Sequence, residues 1–264
     1  MQLSGRTVLL TGATGGLGHA IARALAGRGA SLLLTGRRAD VLEPLAAETG
    51  GRALACDLAD PVDVDRLLEA AADVDVLVAN AGLPGSGHIT TFSVADIDQA
   101  LAVNLRAPMV MARRLAEPMA ARGAGHIVFI SSLAGKVASG GGSVYSATKF
   151  GLRGFAHGLR EDLYGTGVGV SVVMPGFISD AGLFHDAGVT LPRGVGTKTP
   201  DDVARAVVRG IETGRAELDV APLGLRAGAA LAGLAPQLSA AVQRRLGGAA
   251  LAGQFERGQR GKRR

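Results

Sequence analysis

The chain has one cysteine, no tryptophan, two tyrosines and only two asparagines among its 264 residues. A single thiol, Cys56, excludes an intramolecular disulfide and any metal centre built from cysteines; at the end of an apolar run it reads as a buried, inert sulfur. The five histidines (His19, His88, His126, His157, His185) are scattered, and no spacing gathers them into a metal site. Aromatic residues make up 3% of the chain, so its core must be assembled from Ala, Val, Leu and Ile. No stretch approaches about 18 uninterrupted apolar residues, so no membrane-spanning helix is expected. Met1–Thr7 has no basic segment leading into an apolar one, and with the lone thiol this sets the expectation of a reducing, cytoplasmic setting.

A basic binding face is also lacking, despite a net charge of +5. Residues 223–264 hold eight Lys and Arg against one acid, Glu256, a local charge of +7. The other 222 residues carry 20 basic and 22 acidic side chains, a net of −2, so the body of the chain has no footprint for nucleic acid.

What is present is a repeating order of short apolar runs and longer helical patterns. Thr7–Thr11, Ala30–Thr35, Arg52–Cys56, Val74–Ala79, His126–Ser131 and Gly167–Met174 read as strands, with a last one at Glu217–Ala221 after a helix at about 201–213. Near-continuous Val, Leu and Ile without polar alternation mark strands buried on both faces. Strand–helix–strand repeated in this way predicts an α/β fold: a Rossmann-like, doubly wound, parallel, seven-stranded sheet with helices on both faces. No composition break divides residues 1–222, which read as one domain. After Pro222, Leu231, Leu234, Leu238, Val242 and Leu246 recur at three- and four-residue spacing beside Arg244 and Arg245. Residues 223–264 are therefore expected to form a basic, amphipathic helical extension, kinked near Pro236 and ending in disorder. Such a helix could pack on its own subunit, bridge to another, or touch a membrane surface peripherally.

Three features carry chemistry. The run Thr11–Gly18 follows the first strand and enters the first helix. Its residues Gly12, Thr14, Gly15, Gly16, Leu17 and Gly18 let backbone approach a pyrophosphate at a helix N-terminus. The second strand ends in Gly36-Arg37-Arg38 with no acid until Asp40, which favours NADP(H) over NAD(H), because arginine grips a 2′-phosphate and an acid would take the 2′-hydroxyl. Downstream, Ser132 is followed thirteen positions later by Tyr145 and four later by Lys149, in a chain with only four lysines. An i,i+4 pair shares one helix face, and an ammonium beside a phenol favours the phenolate. A Tyr and Lys on a solvated helix face would look the same alone; the glycine run upstream weighs against that. Asp57, after the third strand, suits either an adenine amino group or a loop cap, and both asparagines, Asn80 and Asn104, suggest hydrogen-bonding tasks.

In order, Thr11–Gly18, Asp57, Asn80-Ala81-Gly82, Asn104, Ser132, Tyr145 to Lys149 and Pro175-Gly176 resemble the short-chain dehydrogenase/reductase family in its compact, single-domain form, over residues 3 to about 221. The resemblance implies that Tyr145 is the acid in carbonyl reduction and the base in reverse, with Lys149 lowering its pKa and holding the nicotinamide ribose. Ser132 would bind the substrate oxygen, and Asn104 would support a water chain from Lys149 to solvent. Leu58, Ala81, Gly82, Pro175, Gly176 and Ile178 would join the glycine run, the two arginines, Asp57 and Asn80 around the cofactor. Homodimers or homotetramers through residues 94–122 and 144–164 would follow. Two departures stand out: Asp180 occupies a position where many relatives carry Thr, and Thr14 one that is often basic in NADP-preferring relatives. The loop Phe177–Thr199 is apolar enough to cover an apolar carbonyl or alcohol substrate, with His185 as a lid or surface residue. The leading expectation is an NADPH-linked reductase of ketones or aldehydes, or its reverse. The alternative is a dinucleotide-sensing regulator on the same fold. A sugar-nucleotide epimerase or dehydratase is a poor third reading, since relatives of that kind need a sizeable C-terminal substrate domain and only about 40 residues follow the last strand.

Overall fold

A computed structural model describes residues 1–191, 194–245 and 248–259. Seven parallel strands form one sheet: β1 (Thr7–Thr11), β2 (Ser31–Gly36), β3 (Arg52–Ala55), β4 (Val76–Ala79), β5 (Gly125–Ile130), β6 (Val168–Pro175) and β7 (Glu217–Val220). Their spatial order is β3-β2-β1-β4-β5-β6-β7. Alternate residues of each strand point to opposite faces, so β1 sends Leu9 into one core and Val8 and Leu10 into the other. The second core is closed by α1 (Gly16–Ala26), α2 (Ala39–Thr49) and α7 (Pro200–Thr213). The first is closed by α3 (Pro61–Ala70), α5 (Ala107–Ala121) and α6 (Ser143–Asp162). Leu, Val, Ile and Ala fill both, with Phe129 the largest wholly buried side chain.

Burial on both faces holds for the inner strands and fails at the edges. β3 is largely exposed and β7 alternates, because an edge strand lacks a neighbour and helix cover on one side. The helical stretch expected over 94–122 is also not one helix. α4 (Val94–Leu101) runs into a π-helical turn, Ala102–Arg106, before α5, whose first turn contains Pro108. Proline has no N–H to offer the preceding turn, and the widened turn accommodates it.

The extension forms α8 (Leu223–Leu234), α9 (Pro236–Arg245) and α10 (Gly248–Gln259). The break falls at Ala235, which leaves the helical region ahead of Pro236 as steric clash with the proline ring requires. The expected leucine stripe does not pack down. α8 buries Ala229 and Ala232 instead, while Leu231, Leu234, Leu238 and Val242 stay exposed, since the small alanines allow the closer approach. Leu246 and the basic end Arg260–Arg264, expected to be disordered, lie outside the described residues. No described helix is long and apolar enough to cross a membrane.

α7 matters to the site because it begins where the loop after β6 ends. Thr199 caps it, accepting from the Asp202 N–H at 3.2 Å, while the Asp202 carboxylate accepts from the Thr199 N–H at 3.0 Å. Thr199→Ala is expected to cost about 1 kcal/mol and lower Tm by about 2–4 °C, measured by calorimetry against Thr199→Ser, which keeps the cap.

Candidate active site

All strands being parallel, their carboxyl ends meet along one edge of the sheet. The strand order reverses between β1 and β4, so the loops leaving them diverge and open a crevice. A cavity of about 1420 Å³ occupies it. Every site residue proposed from the sequence lines this cavity except Asn104, which sits behind its wall.

At one end lies the glycine turn. Gly12 holds φ 65°, and a Cβ there would come within 2.6 Å of the Ala81 Cα. Gly18 packs so tightly on the Gly12 carbonyl that a side chain has no room. Gly15 caps α1 without any side-chain hydrogen bond, leaving the first-turn N–H groups for an anion. Asn80 braces the turn from β4: its Nδ2 donates to the carbonyls of Thr11 (3.0 Å) and Gly12 (3.1 Å). That is the task its rarity suggested. At the end of β2, Arg38 Nη2 donates to the Thr14 carbonyl at 2.7 Å, and both Arg37 and Arg38 border the cavity. The Asp57 carboxylate accepts from the Ala59 N–H at 3.0 Å, a turn bond, and the residue borders the cavity. Leu58 beside it is buried. An uncapped helix N-terminus, a turn with no room for side chains and two guanidinium groups at the end of β2 fit a dinucleotide phosphate chain.

At the other end, Ser132 closes β5. Its Oγ accepts from the Ala134 N–H at 3.1 Å and donates to the Pro175 carbonyl at 3.3 Å. Tyr145 and Lys149 lie one turn apart on α6, with the Lys149 Nζ 5.6 Å from the Tyr145 ring centre. The ammonium donates to the Ile130 carbonyl at 3.0 Å. Burial pushes the Tyr145 phenol up to about 12, with the Ser132 hydroxyl pulling the other way, and pushes Lys149 down to about 8. Burial, and not the expected help of the lysine, dominates the phenol, and the ammonium is directed at a strand carbonyl instead. Asn104, in the π-helical turn, is held by Leu83 in both directions: Oδ1 accepts from its N–H at 2.7 Å and Nδ2 donates to its carbonyl at 2.9 Å. Nδ2 also reaches Thr148 at 3.4 Å, and a Cβ on Gly82 would lie 3.6 Å from both Asn104 Oδ1 and Lys149 Nζ.

Over the top runs the loop after β6. Ile178 pairs with Lys198 and Ser179 N–H donates to the Lys198 carbonyl, pinning the two ends of the loop together. Asp180, at the departure noted above, has φ 64°, the one positive value among the described non-glycine residues. Aspartate tolerates this conformation, and its carboxylate accepts from Ser179 Oγ at 2.7 Å. Elsewhere, Cys56 is buried and its thiol is pushed up to about 11, as an inert sulfur should be. No group of residues able to hold a metal occurs among the described residues.

Some contributors had no sequence signal. Ser131 Oγ donates to the Lys149 carbonyl at 2.9 Å and so docks α6 on β5. Lys136, just past the Ser132 turn, pairs with Glu217 and Asp219 of β7, and Arg153 and His157 of α6 complete the cluster. Only the fold brings these together. The helices α8–α10 also supply much of one cavity wall.

The chain is similar to several characterised proteins. A family model described as short chain dehydrogenase matches residues 6–188. Ketoacyl reductase HetN of Nostoc sp. is 40% identical over 83% of this chain and 79% of its own. Serine 3-dehydrogenase of Agrobacterium fabrum is 36% identical over 76% of this chain and 86% of its own. The solved structure of a short-chain dehydrogenase from Sphingobium yanoikuyae in complex with NADPH superposes with a TM-score of 0.78. It is 29% identical and covers 88% of this chain and 94% of its own.

The Glu217 cluster ties α6 and the Ser132 turn to β7, and its titration has a sign. Burial would raise the Glu217 carboxyl, but hydrogen bonds from Arg153, Lys136 and His157 outweigh it and hold it at about 2. Its contribution is thus complete above its ordinary value of 4.5 and is lost as pH falls toward 2. Glu217→Gln is expected to cost about 2 kcal/mol at pH 7 and to flatten the fall in stability between those pH values, read by denaturant melts.

Proposed function

This chain belongs to the short-chain dehydrogenase family, whose members are oxidoreductases of CH–OH and C=O groups, and we propose that it reduces a ketone or aldehyde with NADPH, or runs the reverse oxidation. The observation that carries this reading is the convergence of Ser132, Tyr145 and Lys149 with the glycine turn and two arginines on one cavity. When bound, the dinucleotide supplies the hydride. Gly15, Gly16, Leu17 and Gly18 hold its phosphates through backbone N–H groups, and Arg37 and Arg38 take the 2′-phosphate.

Ser132 Oγ donates a hydrogen bond to the substrate oxygen and fixes it beside the phenol. Tyr145, protonated throughout the neutral range because burial raises it, gives its proton to that oxygen. Lys149, positively charged below about pH 8, stabilises the phenolate that results and would hold the nicotinamide ribose. Asn104, locked by Leu83 beside Gly82, positions the polar path from Lys149 outward. Exposed apolar side chains on α4–α6, among them Val94, Leu101, Met109 and Phe150, support assembly into a homodimer or homotetramer.

Two measurements test the reading. NADPH oxidation with a carbonyl panel is expected to proceed and to fall by at least about 1000-fold in Tyr145→Phe with NADPH binding retained; the rate should also decline as pH rises through about 8, where Lys149 loses its charge. Binding without turnover across the panel would instead favour a dinucleotide sensor. The double variant Arg37→Ala, Arg38→Ala should weaken NADPH at least tenfold while leaving NADH affinity unchanged; equal losses for both would refute the preference.

A further inference from the structure

We propose that α8, α9 and α10 build a binding gallery for an unbranched alkyl chain, making the substrate a carbonyl or secondary alcohol near one end of a hydrocarbon of roughly eight carbons or more. This rests on the carbonyl-reductase reading and adds to it the class of substrate. The cavity that holds Ser132 and Tyr145 is lined also by these helices. Leu225, Ala229 and Ala232 of α8 border it, then Leu238 and Val242 of α9. From Leu225 to Ala232 the α8 wall alone is about 10 Å long at the helical rise.

Among the described residues of α8–α10, no charged side chain borders the cavity. Leu231, Leu238 and Val242, which border the cavity, are 65%, 67% and 45% exposed. So much apolar surface lining a catalytic cavity calls for an apolar occupant. α10 meets the lid loop: its Phe255 ring lies 6.5 Å from Phe177 and 6.0 Å from Phe184. Polar bonds hold it there: Thr190 N–H donates to Gln254 Oε1 at 2.9 Å, and Gln259 Nε2 donates to the Leu183 carbonyl at 3.1 Å. Lid and extension thus form one apolar roof over the carbonyl end. The occupant is the substrate's own chain because the gallery opens onto the catalytic tyrosine.

Glycine 228 provides the test. It borders the cavity, and a Cβ there would meet nothing within 4 Å, so the side chain of Gly228→Phe starts in open space and is expected to occupy the gallery. The comparison is kcat/KM with NADPH for 2-butanone and 2-undecanone, paired with displacement of dansyl-aminoundecanoic acid by 2-undecanol. Burial contributes up to about fourfold per methylene, so the longer ketone is expected to be favoured at least about 100-fold. Gly228→Phe, and independently Leu238→Gln, should cut that ratio at least tenfold and weaken the probe. Leu234→Gln, changing a leucine that is 85% exposed but off the cavity wall, should leave both unchanged.

Equal rates for the two ketones would overturn the gallery while leaving the reductase intact. Absence of turnover with displaceable probe binding would sink the reductase reading and support the gallery. Probe binding only in the presence of phosphatidylglycerol vesicles, or a change of oligomeric state in Leu238→Gln, would assign the face to a membrane or a second copy and overturn the proposal.

Discussion

The structure depends on one constraint: a parallel sheet must be covered on both faces. Each parallel connection returns the chain to the same end of the sheet, and the crossing segment becomes a helix that covers a face. All strand carboxyl ends are thereby gathered on one edge. The chain supplies the needed surface with small aliphatic side chains, which pack closely enough that helices approach the sheet without large aromatics. Where the order reverses between β1 and β4, two loops part and the crevice appears. The glycine turn, the Asn80 brace and the Ser132 turn are three strand ends that this constraint makes neighbours.

Within the crevice, position is set by backbone-directed hydrogen bonds from short polar side chains. Asn80 holds the carbonyls of the glycine turn, Asn104 clasps Leu83, and Ser131 docks the carbonyl of Lys149. A buried amide or hydroxyl without a partner is costly, so each bond is strongly directional in effect. The result is a rigid frame around two groups that burial has displaced in opposite senses, a phenol raised and an ammonium lowered. Both shifts keep the pair neutral more readily than water would, and a polar ligand entering the site would draw on that.

The outer part of the cavity is built differently. The lid is fastened at its two ends by the Ile178–Lys198 bridge and held from above by α10 through side-chain amides and stacked rings. The walls made by α8 and α9 present exposed leucines, Leu231 and Leu238 among them. Rigidity at the reacting end and apolar surface at the other divide chemistry from substrate choice.

Sequence alone determined the succession of strands and helices along the chain, the parallel α/β class and the residues at the glycine turn, at the arginine pair and at Ser132, Tyr145 and Lys149. These are legible because they are local: a buried strand shows as an apolar run, a phosphate turn as closely spaced glycines, and an i,i+4 pair as a shared helix face. Strand ends were displaced by a residue or two, and the widened turn at Ala102–Arg106 was hidden because π and α turns share the same composition. What only the tertiary structure decided is long-range. Lys136 meets Glu217 and Asp219 across more than 80 positions, and burial rather than charge sets the tyrosine. The leucine stripe after Pro222 read as a packing face because its spacing is helical. Spacing shows that residues share a face, and only the folded chain shows that Leu231, Leu238 and Val242 of that face border a cavity while Ala229 and Ala232 are the buried positions.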